Sequence, residues 1–214
     1  MKINLFSETI GTSFLLLIVV GSGIMGENLT ENKAVVLLAN SITTAFGLIV
    51  LIWIFGSYSG AHFNPVVSIL MMLLGRLTKK ETLLYVLCQI IGGVAGVVLA
   101  NIIFDLDIIS ISDNRRLTTG IFISEIIATF GLLLTILLVS KQKSEMVAAA
   151  VGLYIGAAYW FTSSTSFSNP AVTIARTLSD TFTGIVPSDV VPFIFAQLIG
   201  TFIVYFIYKY VYEQ

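Results

Sequence analysis

Ser59-Gly60-Ala61-His62-Phe63-Asn64-Pro65-Val66-Val67-Ser68 places a helix start inside an apolar part of the chain, and Asn169-Pro170-Ala171-Val172-Thr173 repeats that start in the other half. An Asn side-chain oxygen caps the first free backbone N–H groups of a helix, and Pro suits the first helical position, where its missing N–H costs nothing. A helix that begins inside a bilayer leaves its first N–H groups without partners, which is tolerated only against protein or beside a watery cavity. Two such starts predict a shared cavity.

Composition supplies the bilayer. Of 214 residues 57% are hydrophobic and 11% charged, with a mean hydropathy of +0.98. That is too little polar surface for a soluble globule. One crossing takes about 20 apolar residues, and six stretches qualify: Phe6 to Gly26, Ala34 to Phe55, Leu83 to Phe104, Gly120 to Ser140, Val147 to Phe161 and Val191 to Tyr210. The stretches opening at Pro65 and Pro170 are too short to cross. Lys2 followed by an apolar run ending in Gly21, Ser22 and Gly23 also has the outline of a secretory leader, but Glu8 inside the run and the recurrence of its pattern later in the chain argue for a span. A net charge of −1 points to neither nucleic acid nor an anionic surface as partner. Cys88 stands alone, so no intrachain disulfide is possible, and it reads as a small apolar residue of the third span.

The halves repeat. Glu8-Thr9-Ile10-Gly11-Thr12 matches Glu125-Ile126-Ile127-Ala128-Thr129, the Asn-Pro pentads follow, and Gln89-Ile90-Ile91-Gly92 matches Gln197-Leu198-Ile199-Gly200. The boundary falls between residues 112 and 113, giving a first repeat of residues 1–112 and a second of 113–214. Three spans per repeat is an odd number, so the second repeat must enter the membrane inverted. The two short helices then enter from opposite faces and meet near mid-depth with Asn64 and Asn169 side by side. Lys2, Arg76, Lys79, Lys80, Lys141, Lys143 and Lys209 fall on the face that holds both termini. The opposite face holds Lys33, Arg115, Arg116 and Arg176 diluted by seven acidic residues, so both termini are expected in the cytoplasm. The linker Asp105 to Thr118 is the longest polar loop.

The chemistry at such a junction follows from the residue types. With the Asn oxygens used as caps, each amide NH2 is left to face the lumen as a donor beside two positive helix ends, each worth about half an elementary charge. The backbone ahead of each cap cannot be helical. Carbonyls of Gly60, Ala61 and His62 on one side and of Thr165, Ser166 and Phe167 on the other are expected to form a ladder of acceptors. That combination disfavours cations and suits small neutral solutes bearing hydroxyl or water protons. Glu8 and Glu125, with Gln89 and Gln197, are read as braces for this non-helical backbone, because buried carboxylates must accept hydrogen bonds from somewhere. His62, the single histidine, is read as a motif-packing residue of the inner vestibule. Gly92, Gly93, Gly96 and Gly200 are read as close helix contacts, and Trp53 and Trp160 as interfacial anchors. No nucleophile–base pair, paired active carboxylates or metal cluster is present in the pattern, so neither an enzyme nor a cofactor or metal site is expected.

Ser59-Gly60-Ala61-His62-Phe63-Asn64-Pro65, together with a second Asn-Pro-Ala, the Glu-x-x-x-Thr pairs and six spans, resembles the major intrinsic protein family, the aquaporins and glycerol facilitators. The resemblance covers essentially the whole chain. It implies an all-α fold of six transmembrane helices and two re-entrant half-helices, a homotetramer with one path per subunit, and a passive channel in the cell's inner (plasma) membrane whose partners are water and small neutral solutes. It also implies a selectivity filter at four positions. Gap-free counting from the Asn residues puts these at Thr44, Ala157, Ser166 and Val172. Water-selective members are similar to one another in placing an aromatic residue, a His and an Arg there, so this set implies a wide, weakly polar opening without an Arg. Arg176, one turn beyond Val172 on the same face, has two readings: a partial substitute for the missing Arg or, the favoured one, a helix-end arginine that turns outward along the membrane surface. Val66 stands where the family usually has Ala and is expected to narrow the junction. The run Asn169 to Arg176 with Leu178-Ser179-Asp180-Thr181-Phe182 resembles a bacterial branch associated with arsenic resistance, so polyols, urea-like solutes and undissociated metalloid acids such as arsenite are the implied cargo. Two alternatives share these features. A water-selective channel lacks its filter residues here, and a secondary transporter with broken helices lacks an ionisable group at mid-depth.

Overall fold

Eight α-helices and short 3-10 or π turns make up the computed structural model, which describes residues 1–212. Helices α1 (Lys2–Leu29), α2 (Lys33–Ser59), α4 (Lys79–Ile103), α5 (Thr119–Gln142), α6 (Val147–Phe161) with the turn before it (Ser144–Phe161 together) and α8 (Val190–Ile207) with its flanking turns (Pro187–Tyr212 together) provide six segments long and apolar enough to cross a membrane. At about 1.5 Å per residue, α3 (Pro65–Leu73) and α7 (Pro170–Ala175) reach only about 14 and 9 Å, under half of a hydrocarbon core about 30 Å thick. Neither crosses.

The packing repeats as the sequence does. α1 lies along α4 and beside α2, and α5 lies along α8 and beside α6. Glycines permit the long contacts. A Cβ at Gly92 would run into the Thr9 carbonyl, one at Gly96 into that of Ser13, and one at Gly200 would lie 2.7 Å from the Ile126 carbonyl oxygen. Backbones approach this closely only where one partner has no side chain. Polarity is arranged inside out. Phe14, Phe46, Trp53, Leu153 and Phe195 face outward, while Glu8, Gln89, Asn101, Glu125 and Gln197 are fully buried. An outer surface of this kind suits lipid, and the buried polar groups must then be satisfied within the fold.

Candidate functional site

Each half-helix starts where the sequence places its cap. Asn64 Oδ1 accepts from the N–H of Val66 at 3.1 Å, and Asn169 Oδ1 accepts from Ala171 at 3.0 Å and Val172 at 3.3 Å. The amide nitrogens then cross between repeats. Asn64 Nδ2 donates to the Ser168 carbonyl and Asn169 Nδ2 to the Phe63 carbonyl, both at 2.8 Å. The expected pair of lumen-facing NH2 groups therefore has one hydrogen of each already engaged, and one of each remains for the lumen. The same two bonds lock the half-helices end to end.

The backbone leading to each cap has an unusual conformation in both repeats. Gly60, Ala61 and Phe63 have φ of 82°, 48° and 47°, and Thr165, Ser166 and Ser168 have 59°, 50° and 45°. Non-glycine residues adopt this left-handed region at a cost and hold it only where surroundings enforce it. A buried carboxylate enforces it in each repeat. Glu8 accepts from the N–H groups of His62 at 2.9 Å and Phe63 at 2.7 Å, and Glu125 accepts from those of Phe167 and Ser168, both at 2.9 Å. Gln89 Nε2 joins Glu8 at 2.7 Å to Ser68 Oγ at 3.0 Å, and Gln197 Nε2 joins Glu125 at 2.8 Å to Thr173 Oγ1 at 3.0 Å. With its N–H groups turned to the carboxylate, the strand shows its carbonyls the other way. Those of Gly60, Ala61, His62, Thr165, Ser166 and Phe167 receive no hydrogen bond from any described residue. His62 is held by Ser68 Oγ on Nδ1 at 2.9 Å and by the Tyr85 ring, 5.3 Å away edge to face.

Beside this backbone runs a cavity of about 290 Å³. Gly60, Ala61, His62, Phe63 and Asn64 from one loop and Ser166, Phe167 and Asn169 from the other form its polar side, while Thr165 is half-buried outside the wall. The apolar side comes from rows at i, i+4 spacing: Leu15 and Val19 on α1, Leu48 and Ile52 on α2, Leu132 and Ile136 on α5, and Val147, Val151 and Ile155 on α6. Helices α4 and α8 give no wall residue. They carry the bracing glutamines instead. Arg76, Met71 and Ser140 close the mouth on the face of the termini, and Arg176 lies at the opposite mouth, on the face of the inter-repeat linker.

Besides Thr165, expected to line the path, three sequence expectations need correction. Ala157 is exposed on the outer face of α6 and takes no part in the wall; Tyr159 does, bonded through its hydroxyl to Thr44 Oγ1 at 3.3 Å. Tyr159 continues the row of Val151 and Ile155, whereas a residue two positions away points about 200° around the helix. Thr44, Ser166 and Val172 are in the wall as counted. Val66 packs into the apolar cluster of Leu70, Leu133, Leu137 and Val204, so its methyl groups do not narrow the junction. Arg176 does not turn outward. It is 3% exposed, with its Nε donating to the Thr183 carbonyl and its guanidinium 3.6 Å from the Phe167 ring centroid. The remaining motif residues, Pro65, Pro170 and Ala171, are buried behind the Asn pair.

Arg116 of the linker had no role in the sequence pattern, yet it reaches the same ring, 5.3 Å from the centroid. Its guanidinium donates to the Gly184 carbonyl at 2.6 Å and the Phe182 carbonyl at 2.7 Å, and its backbone N–H to Asp189 Oδ2 at 2.8 Å. Burial lowers its proton affinity below the ordinary value, but arginine stays charged at neutral pH.

The sequence model of the major intrinsic protein family matches residues 2–168. The chain belongs to that family. It is 48% identical to the aquaglyceroporin AqpS of Rhizobium meliloti over 194 residues, 91% of this chain and 83% of that one. It is 32% identical to aquaporin NIP1-2 of Arabidopsis thaliana over 161 residues, 70% of this chain and 54% of the plant protein. The fold is that of the aquaglyceroporin from Plasmodium falciparum, with a TM-score of 0.74, 22% identity and coverage of 98% and 96% of the two chains. This member is thus a multi-pass membrane protein and a channel for small neutral solutes.

Proposed function

We propose that this channel passes glycerol and other small polyols, urea-like solutes and undissociated metalloid acids such as arsenite, together with water, down their gradients. The observation that carries the reading is the two-sided wall: five carbonyls without protein donors, those of Gly60, Ala61, His62, Ser166 and Phe167, and two Asn amides along one side, and aliphatic rows along the other. A solute with hydroxyl or amide protons exchanges water for carbonyls as it moves, while its carbon side meets side chains that compete for nothing. The resemblance to AqpS supports the polyol and metalloid classes.

The narrow level is assigned to Thr44, Tyr159, Ser166 and Val172, a ring with hydroxyl groups and no guanidinium of its own. It is more restricted than a ring with Ala157 in it and wider than one with Arg in place of Val172. Gly60, Ala61, His62, Ser166 and Phe167 supply the acceptor ladder, and Glu8, Glu125, Gln89 and Gln197 brace it. The protein works as a homotetramer with one path per subunit in the plasma membrane, both termini cytoplasmic, a placement supported by the distribution of Lys and Arg.

Stopped-flow shrinkage and reswelling of proteoliposomes with water, glycerol, urea and arsenite at neutral pH tests the proposal. Flux of all four is expected. Water flux alone would favour the water-selective alternative, and accumulation of any solute against its gradient would exclude a passive channel.

A further inference from the structure

Arg176 is the one buried cation in the cavity wall, and no carboxylate accompanies it. Only its Nε finds a protein acceptor among the described residues, the Thr183 carbonyl, while its face lies 3.6 Å from the Phe167 ring centroid. Neither Nη group has a protein partner among the described residues, and the residue borders the cavity. Arg116 adds a second guanidinium beside the same ring, held by Nε on the Gly184 carbonyl and Nη2 on the Phe182 carbonyl. The nearby carboxylate of Asp189 is engaged by the backbone N–H groups of Arg116 and Leu117, at 2.8 and 2.9 Å, and makes no ion pair with either guanidinium. The two guanidiniums make no ion pair among the described residues, although Glu27, Asp180 and Asp189 hold the backbone around them and Glu125 lies behind Phe167. Val172 and Arg176 are four residues apart on one face, so the backbone of Arg176 lies about 6 Å nearer the mouth than that of Val172.

We propose that Arg176 is the cation-rejecting residue of this pore, set one turn outside the narrow ring so that selection by charge and selection by size occur at different levels. This rests on the channel reading above. A single arginine in the narrow ring would couple the two, because its removal would widen the ring as it removed the charge. Here width belongs to Thr44, Tyr159, Ser166 and Val172, and charge to Arg176, which Phe167 and the Thr183 carbonyl hold in place. Arg116, delivered by the inter-repeat linker, is a positioning residue that closes the far side of the same ring.

The full chain in planar bilayers and proteoliposomes tests this with methylammonium as the cationic probe and glycerol and urea as neutral ones. Arg176→Gln is expected to raise methylammonium current about tenfold or more while the glycerol-to-urea flux ratio stays put, and Arg176→Lys to keep the current low. Val172→Arg is expected to move the other readout, lowering glycerol flux relative to water. A wild-type current in Arg176→Gln overturns the proposal, as does a shift in the glycerol-to-urea ratio that accompanies the current. If the wild type passes water but neither neutral solute, the solute reading fails and the current still decides the role of Arg176. Should Arg176→Gln not assemble, Arg176→His carries the test within one protein. Its current should be low at pH 5, where imidazole is charged, and higher at pH 8; a pH-independent current would refute the idea.

Discussion

The two re-entrant loops are built alike and finished differently. In both, a buried carboxylate takes two backbone N–H groups, a glutamine ties that carboxylate to a hydroxyl on the half-helix, and an Asn reaches across to the other loop. Beyond the half-helices the likeness ends. The first leads into a short turn with exposed Arg76, and the second into a folded segment where Arg176, Phe167, Thr183 and the linker's Arg116 pack together. What is duplicated is the machinery that holds backbone open inside a membrane. What is not duplicated is the Arg176 mouth, so that end can change without disturbing the support.

Breaking the support should have the largest effect, and an equal one in both repeats. Glu8→Ala and Glu125→Ala each orphan two buried N–H groups and an amide, at about 1–3 kcal/mol for each group left unpaired. The yield of monodisperse protein in detergent should collapse for both variants. A well-folded Glu125→Ala beside a lost Glu8→Ala would show that the loops are not held in the same way.

Helix contacts come next. Gly92→Leu drives a side chain into the Thr9 carbonyl and Gly200→Leu into that of Ile126, and overpacking of this kind costs about 1–3 kcal/mol. Both should lower the thermal midpoint in detergent, Gly92→Leu the more because its backbone approach is closer. The opposite order would place the tighter seam in the second repeat.

Most of this support was legible in the sequence. Spans are set by apolar length, half-helices by Asn-Pro, and the braces by the recurrence of Glu and Gln at matching places. The mouth was less legible, for two reasons. Arg176 read as a helix-end arginine because its anchors, Phe167 and the Thr183 carbonyl, become neighbours only when residues 176–184 fold back, a contact no local pattern encodes. Arg116 reaches the site through the linker and the Asp189 carboxylate, 73 positions away in sequence. Tyr159, by contrast, could have been found, since Val147, Val151, Ile155 and Tyr159 share one helical row.

A smaller effect sharpens the comparison at the junction itself. Asn64→Ala and Asn169→Ala each remove a helix cap, worth about 1 kcal/mol, and one bond to the opposite loop. Asn169 caps two N–H groups and Asn64 one, so destabilisation in a detergent melt should be greater for Asn169→Ala. Equal losses would mean that the crossing bonds, which are matched at 2.8 Å, dominate over the caps.

The smallest expected effect distinguishes two neighbours on α6. Ala157 lies on the outer face while Tyr159 bonds Thr44 across the cavity. Ala157→Leu therefore adds apolar surface where lipid is expected, should change stability by no more than about 0.5 kcal/mol, and should leave the glycerol-to-water flux ratio where it was. Tyr159→Ala removes a ring and a hydroxyl from the cavity wall and should raise that ratio. If Ala157→Leu instead closed the pore to glycerol, α6 would have to be turned by roughly half a revolution. Ile155 and Val151 would then leave the wall with Tyr159, and that side of the cavity would have to be rebuilt on a different set of side chains.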